Sequence, residues 1–209
     1  MIYLNPSEYE QYGLDHSAAA ALVAAASSLI DAHCRRATLG VAQYVERVRL
    51  RPGRNSLRLT YLPLAALAPA SSPFVAVKAR YTVPRRGEGL EGDPLAVEVA
   101  GAFGLPGAWT ALDPAALEHD AATGEVALPQ HPLGLGYNEV EVTYTAGFAA
   151  IPEAVKFACA QVARNAQATP ALNVKSSGLD RMQMAYFEDS LLDASVRALL
   201  APFMAQKVG

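Results

Sequence analysis

Few side chains in this chain stand at spacings that could run a reaction. His33 and Cys34 are adjacent, the pairing that a thiolate and its base would use. Both, however, prolong an apolar stripe of Leu22, Val23, Ala26, Leu29 and Ile30, so they read as a satisfied core histidine and a buried small hydrophobe. Cys159 lies on a second such stripe with Val155, Val162 and Ala166. The two cysteines could meet where their helices pack, yet no closely spaced His or carboxylate completes a zinc set. His119 and His131 fall in turn-rich segments beside Asp120 and Pro132, a setting for surface histidines or, less simply, for two loop ligands. Gly134-Leu135-Gly136 leads into a strand-like run instead of a helix, so it is not a dinucleotide loop, and no Gly-x-Ser-x-Gly elbow or phosphate-binding loop occurs. The expectation is a protein with no catalytic residue, no cofactor and no bound metal.

The arginines are more telling. Arg47, Arg49 and Arg51 lie two apart, so on a strand all three point the same way. Arg54 follows in a turn and Arg58 on the next strand, while Lys78, Arg80, Arg85 and Arg86 form a second group. Such a face is either a docking surface for an acidic partner or passing phosphates, or a solvated sheet surface. Like charges on one face need relief. Glu139 and Glu141, two apart on their own strand, are the expected complement, supplied by a neighbouring copy. With a net charge of −3 and no aromatic interleaving among the basic residues, dedicated nucleic-acid recognition is not expected.

These residues need elements to position them. The chain has 209 residues, 52% of them apolar and 41 of them alanine, enough to build a core and to exclude intrinsic disorder. Two cysteines exclude a disulfide-dense scaffold. No run of about 18 strongly apolar residues occurs, and Met1-Ile-Tyr-Leu-Asn-Pro6 lacks a basic start and a small-residue cleavage site, so a soluble protein folded inside the cell, without membrane contact, is expected. Residues 1–90 hold eleven Lys/Arg against six Asp/Glu, a balance of +5, and residues 91–209 hold six against fourteen, a balance of −8. Halves of opposite sign either pair head to tail between copies or mix in space on folding.

Periodicity predicts a helix over 15–36, capped by Asp15. A β-hairpin is predicted next, from the alternating runs 41–50 and 56–62 around Pro52-Gly53-Arg54-Asn55. Strands are predicted over 74–83, 95–99, 125–128 and 137–145, the last alternating Val140, Val142 and Tyr144 against Glu139, Glu141 and Thr143. A helix follows from Pro152 to Pro170. Residues 171–184, with Ser176-Ser177-Gly178, read as a loop or mobile arm, and a last helix is predicted over 186–203. The fold class is therefore α+β. A helical core from residues 1–40 and 146–209 would carry an inserted antiparallel sheet or small sandwich over 41–145, with an arm at 169–185.

The ordered set of motifs resembles the head–tail connector (adaptor) proteins of tailed bacteriophages and gene transfer agents. The resemblance rests on Tyr3-Leu-Asn-Pro-Ser-Glu-Tyr9, Ser28-Leu-Ile-Asp-Ala-His-Cys-Arg35, Glu46-Arg47 and Leu62-Pro-Leu64. It continues through Val142-Thr-Tyr-Thr-Ala-Gly-Phe148 and Ile151-Pro152 into an alanine-rich helix. It covers about residues 1–63 and 137–205, and the long β insertion departs from the mainly helical members. The resemblance implies a structural virion protein of the phage neck. Its subunits would form a ring, of twelve copies in the virion, beneath the portal protein and around the DNA channel. That ring would join a downstream stopper or tail protein after folding in the host cytoplasm, with only transient, non-specific proximity to DNA. On that reading Arg47, Arg49, Arg51, Arg54, Arg58, Glu139, Glu141, Ser176, Ser177 and Gly178 are the interface candidates. Two other readings compete with it. One is a β-sandwich that binds a glycan or peptide through Trp109, Phe74, Tyr81 and Phe103. The other is a small enzyme using Cys34 or His33.

Overall fold

The computed structural model describes residues 1–15, 19–50, 54–67, 69–82, 102, 107–129, 137–168, 176–179, 182–185 and 191–206, with the backbone alone for 176–179 and 182–185. The fold is α+β with antiparallel sheets. It falls into two compact units, Met1–Gly40 with Ala150–Ala205, and Val41–Ala149.

The helical unit is built from small residues. Helix α1 (Ala19–His33) and helix α2 (Glu153–Ala168) bury Val23, Ala26, Ile30 and Cys34 against Val155, Ala158, Cys159, Val162 and Ala163. Alanines on both partners allow close helix approach, and Leu4, Tyr9, Leu14 and Leu39 close the same core. Helix α1 stops at His33, short of the predicted 36, because Arg35 takes a left-handed φ of 56°. Arg36 N–H then donates to the Asp31 carbonyl at 3.0 Å, which satisfies an orphan carbonyl of the last turns. Helix α2 starts where Pro152 and Glu153 place it, Pro152 lacking only an N–H that the first turn leaves unused. The last helix, α3 (Ala194–Leu200), begins inside the predicted span 186–203, of which 186–190 lie outside the described residues. The Asp193 side chain accepts from Val196 N–H at 2.7 Å and fixes the start, while a 3-10 turn over Ala201–Phe203 ends it.

In the other unit, β1 (Ala42–Arg49), β7 (Glu139–Ala146), β3 (Phe74–Arg80) and β4 (Thr110–Leu112) form one sheet in the order β1-β7-β3-β4. A second sheet runs β2 (Ser56–Arg58), β6 (Glu125–Ala127), β5 (Glu118–His119). Val77, Ala79, Val140, Val142 and Tyr144 from the first share one core with Leu57, Leu117, Val126 and Leu128 from the second and its flanks, so the two sheets enclose it as a small sandwich. The predicted hairpin does not form: β1 pairs with β7, from Ala42↔Ala146 to Arg49↔Glu139, and β2 pairs with β6. Alternation on β1 and β7 matches residue for residue, Val48 against Val140 and Arg47 against Glu141, and that long-range match overrides the local turn signal.

Residues 176–179 and 182–185 form a ladder where a loop or mobile arm is expected: β8 (Ser176–Leu179) pairs with β9 (Met182–Ala185), Ser177 opposite Met184 and Gly178 opposite Gln183, while 169–175, 180–181 and 186–190 lie outside the described residues. The predicted strand at 95–99, Arg51, Arg85, Arg86, Phe103, His131, Gly134 and Gly136 lie outside the described residues.

Candidate interaction face

The strands of the four-stranded sheet present alternate residues outward. On β1, Val45 and Arg47 are exposed while Tyr44 and Val48 pack on the core. Register then lines up two rows across the sheet: Arg47, Glu141 and Lys78, and beside them Arg49, Glu139 and Arg80. Carboxylates on the central strand are thus flanked by cations on both sides. Arg47 Nε donates to Glu139 Oε1 at 2.8 Å, Arg80 Nε to Glu139 Oε2 at 2.7 Å, and Lys78 Nζ lies 2.8 Å from Glu141 Oε1.

Burial pushes the Glu139 carboxyl up, but the hydrogen bonds and charges of Arg47 and Arg80 outweigh it and hold the group below the usual carboxylate range. The same bond from Glu139 raises the Arg47 guanidinium. Trp109, half-buried just before β4, takes three cations about its ring, with Arg80 at 4.5 Å, Arg47 at 5.1 Å and Lys78 at 5.2 Å from the centroid.

Glu139 and Glu141 are therefore the complement of the basic face within one chain, and the neighbouring copy expected to supply them is not needed for that. The pairs also join the two oppositely charged halves of the sequence in one sheet, so at this site the charges mix on folding. Arg58 is not part of this face: it lies on β2 of the other sheet, where its Nε donates to the Thr123 carbonyl at 2.9 Å. Arg54 is exposed ahead of β2. Sequence reading placed Lys78 and Arg80 in a separate group and left Trp109 to the glycan reading. The signal that unites them is alternation on β3, Lys78 and Arg80 against the buried Val77 and Ala79. The Trp109 ring is engaged by cations of its own chain.

Behind the sheet, Tyr144 donates its hydroxyl to Glu46, whose carboxylate also accepts from Thr60 N–H at 3.2 Å and 3.3 Å. Burial and the Glu46 hydrogen bond hold the Tyr144 phenol well above its ordinary range. Tyr44 and Tyr61 stack beside it at 3.9 Å between centroids.

In the helical unit, Tyr3 donates to Asp31, and Leu39 N–H donates to the Tyr3 oxygen at 2.8 Å. Lys156 joins Glu8 at 2.6 Å and Glu153 at 3.5 Å. Cys34 and Cys159 are free thiols, fully buried, and burial pushes both up to about 11, the opposite of an activated nucleophile. Among the described residues no group of three or more His, Cys, Asp and Glu is set to hold a metal ion, and no helix is long and apolar enough to cross a membrane. No protein-family model matches the chain, and no curated protein matches it.

Proposed function

We propose that this protein is a head–tail connector of a tailed bacteriophage or gene transfer agent. It would be a structural component of the virion neck, ringing the DNA channel beneath the portal in twelve copies and receiving the next neck or tail component. The observation that carries the reading is that the motif segments, scattered along the sequence, meet one another in pairs. Tyr3 of the first segment binds Asp31 of the second. Tyr144 of the Val-x-Tyr-x-Ala-Gly strand binds Glu46 of the Glu-Arg pair. Leu64 of Leu-Pro-Leu bridges to Ala146, and Gly147 N–H donates to the Pro63 carbonyl at 2.9 Å. Contacts between the segments that carry the resemblance, in each of the two units, support that reading. The basic sheet face and the β8–β9 ladder supply surfaces for protein partners.

The test is light scattering of the protein with the portal protein encoded in the same genome. A complex with the mass of a portal ring plus an added ring of this chain is expected. No binding to that portal, with the protein folded, refutes the proposal.

A further inference from the structure

Strand β1 stands at one end of the sheet order β1-β7-β3-β4, and among the described residues no strand pairs with its outer edge. Leu50 N–H fixes the phase of its ladder by donating to the Asn138 carbonyl at 3.0 Å. Bonded and non-bonded positions alternate in an antiparallel pair. Tyr44, Glu46 and Val48 therefore exchange their backbone groups with Tyr144, Val142 and Val140 of β7. Gln43, Val45 and Arg47 aim theirs the other way, and among the described residues no backbone group meets them. All three side chains are exposed, Val45 at 61%.

The strand carries little that protects such an edge. It runs eight residues with neither a proline nor a bulge, its register with β7 being unbroken. Its inward-facing charge, Glu46, is answered within the chain by the Tyr144 hydroxyl and the Thr60 N–H. Arg47, on the outward face, is drawn across to Glu139. An exposed valine midway along an open edge is a surface that a pairing strand covers.

We infer that β1 pairs antiparallel with β1 of a second copy of this chain, about a two-fold axis at Val45. Such an axis requires the strand to complement itself. Two registers overlap it most fully, one centred on Val45 and one on Glu46. The second sets Glu46 opposite Glu46, and like charges directly opposite disfavour pairing. The first sets Val45 against the partner's Val45, Gln43 against the partner's Arg47 and Tyr44 against the partner's Glu46, with no like charges opposed. Gln43, Val45 and Arg47 then exchange the backbone groups that β7 leaves unused, and the two four-stranded sheets become one. An isologous pair of this kind closes on itself, so it has no place inside a cyclic ring. The inference goes beyond the connector reading and does not rest on it. The pair is a state of the free protein, and on the connector reading it opens before a ring forms.

Amide hydrogen exchange over a concentration series, read beside sedimentation velocity, tests the pairing. The free protein should dimerise, and exchange at Gln43, Val45 and Arg47 should slow at least about tenfold from the dilute to the concentrated sample. Exchange at Tyr44, Glu46 and Val48 should be slow throughout. Val45→Pro removes a donor that β7 does not use, so the chain should fold while the dimer weakens at least about tenfold. Val45→Lys and Val45→Glu each set like charges face to face across the axis, so either alone should pair less tightly than their equimolar mixture, where Lys meets Glu. Circular dichroism of each variant confirms that it is folded, and the charge mixture decides if the proline variant is not. A monomer at every concentration, amides at 43, 45 and 47 that stay fast in the dimer, a folded Val45→Pro that dimerises unchanged, or a mixture no tighter than its components overturns the pairing. Protection that arises only when the portal protein is added overturns it too, because a foreign strand then takes the edge. Failure of portal binding leaves the pairing standing, and loss of the pairing while portal binding survives leaves the connector reading standing.

Discussion

Each unit of this protein seats a tyrosine hydroxyl on a carboxylate, but at different depths. Asp31, in the helical unit, is 8% exposed and takes its hydroxyl from Tyr3. Glu46, in the β-rich unit, is half-buried and shares itself between Tyr144 and the Thr60 N–H. Helices satisfy their own backbones, so a polar side chain buried in a helical core has to be answered by other side chains or by the ends and connections of the helices, as Asp31 is by Tyr3 and Asn165 by the Leu191 carbonyl. A sandwich with irregular connections has stray N–H groups to spare and spreads the load. The same contrast holds for charge: in the helical unit Lys156 gathers Glu8 and Glu153 around one cation, whereas the sheet organises its charge in crossed rows.

The largest expected effect separates the two cores. Ile30→Ala empties a fully buried site between the helices and should cost about 2–5 kcal/mol. Trp109, the single tryptophan, reports the β-rich unit. Denaturation followed at 222 nm should move while the Trp109 fluorescence transition holds. Transitions that move together would mean that the two cores melt as one.

Next in size, Tyr3→Phe removes the hydroxyl partner of the more deeply buried carboxylate, Asp31, and should destabilise by about 1–3 kcal/mol. Tyr144→Phe leaves Glu46 its backbone donor and should cost less. Urea melts of the two variants rank them, and a reversed order breaks the comparison.

Acid should divide the units more gently. Burial raises the Asp31 carboxyl, so its contribution is present below the unfolded pKa and is lost as pH rises through the folded one. Asp31→Asn, which keeps an acceptor for Tyr3, should gain on the native protein over that rise. Glu139 is held low, so its contribution is present above the unfolded pKa and is lost as pH falls through the folded one. The advantage of the native protein over Glu139→Gln should therefore fade in acid. Melting curves of the native protein and both variants across the carboxylate range test the two signs.

The smallest effect is a silence. With thiols raised to about 11, Cys34 and Cys159 should not react with a disulfide reagent near neutral pH until the chain is unfolded. Prompt modification of either in the native state would favour the cysteine-enzyme reading.

Elements whose signals are local were legible in the sequence. Alternation marked β1, β3 and β7, and Pro152-Glu153 marked the start of α2. Partner choice was not legible. Pro52-Gly53 advertised a hairpin, but β1 found its match in a strand nearly the whole insertion away, and only register reveals that Arg47 faces Glu141. In the last helix the start at Asp193 was not legible, because Leu192, Val196, Leu199 and Phe203 keep helical spacing through the point where the Asp193 side chain caps it. The rows of the basic face could be read strand by strand, whereas their assembly around Trp109 depends on sheet order, which no single strand encodes.

Sheet order also bears on how such a chain tolerates its long insertion. The strands that open and close the β-rich unit are neighbours, and Ala42 sits opposite Ala146, about 5 Å away in Cα terms for an antiparallel pair. Once folded, Val41–Ala149 therefore presents its two ends side by side. To the helical unit it acts as a short connection between Gly40 and Ala150, with the loop-closure entropy of a few residues instead of more than a hundred. An insertion with that geometry is a cassette: it can grow, shrink or be exchanged during descent without asking the helices that carry it to change.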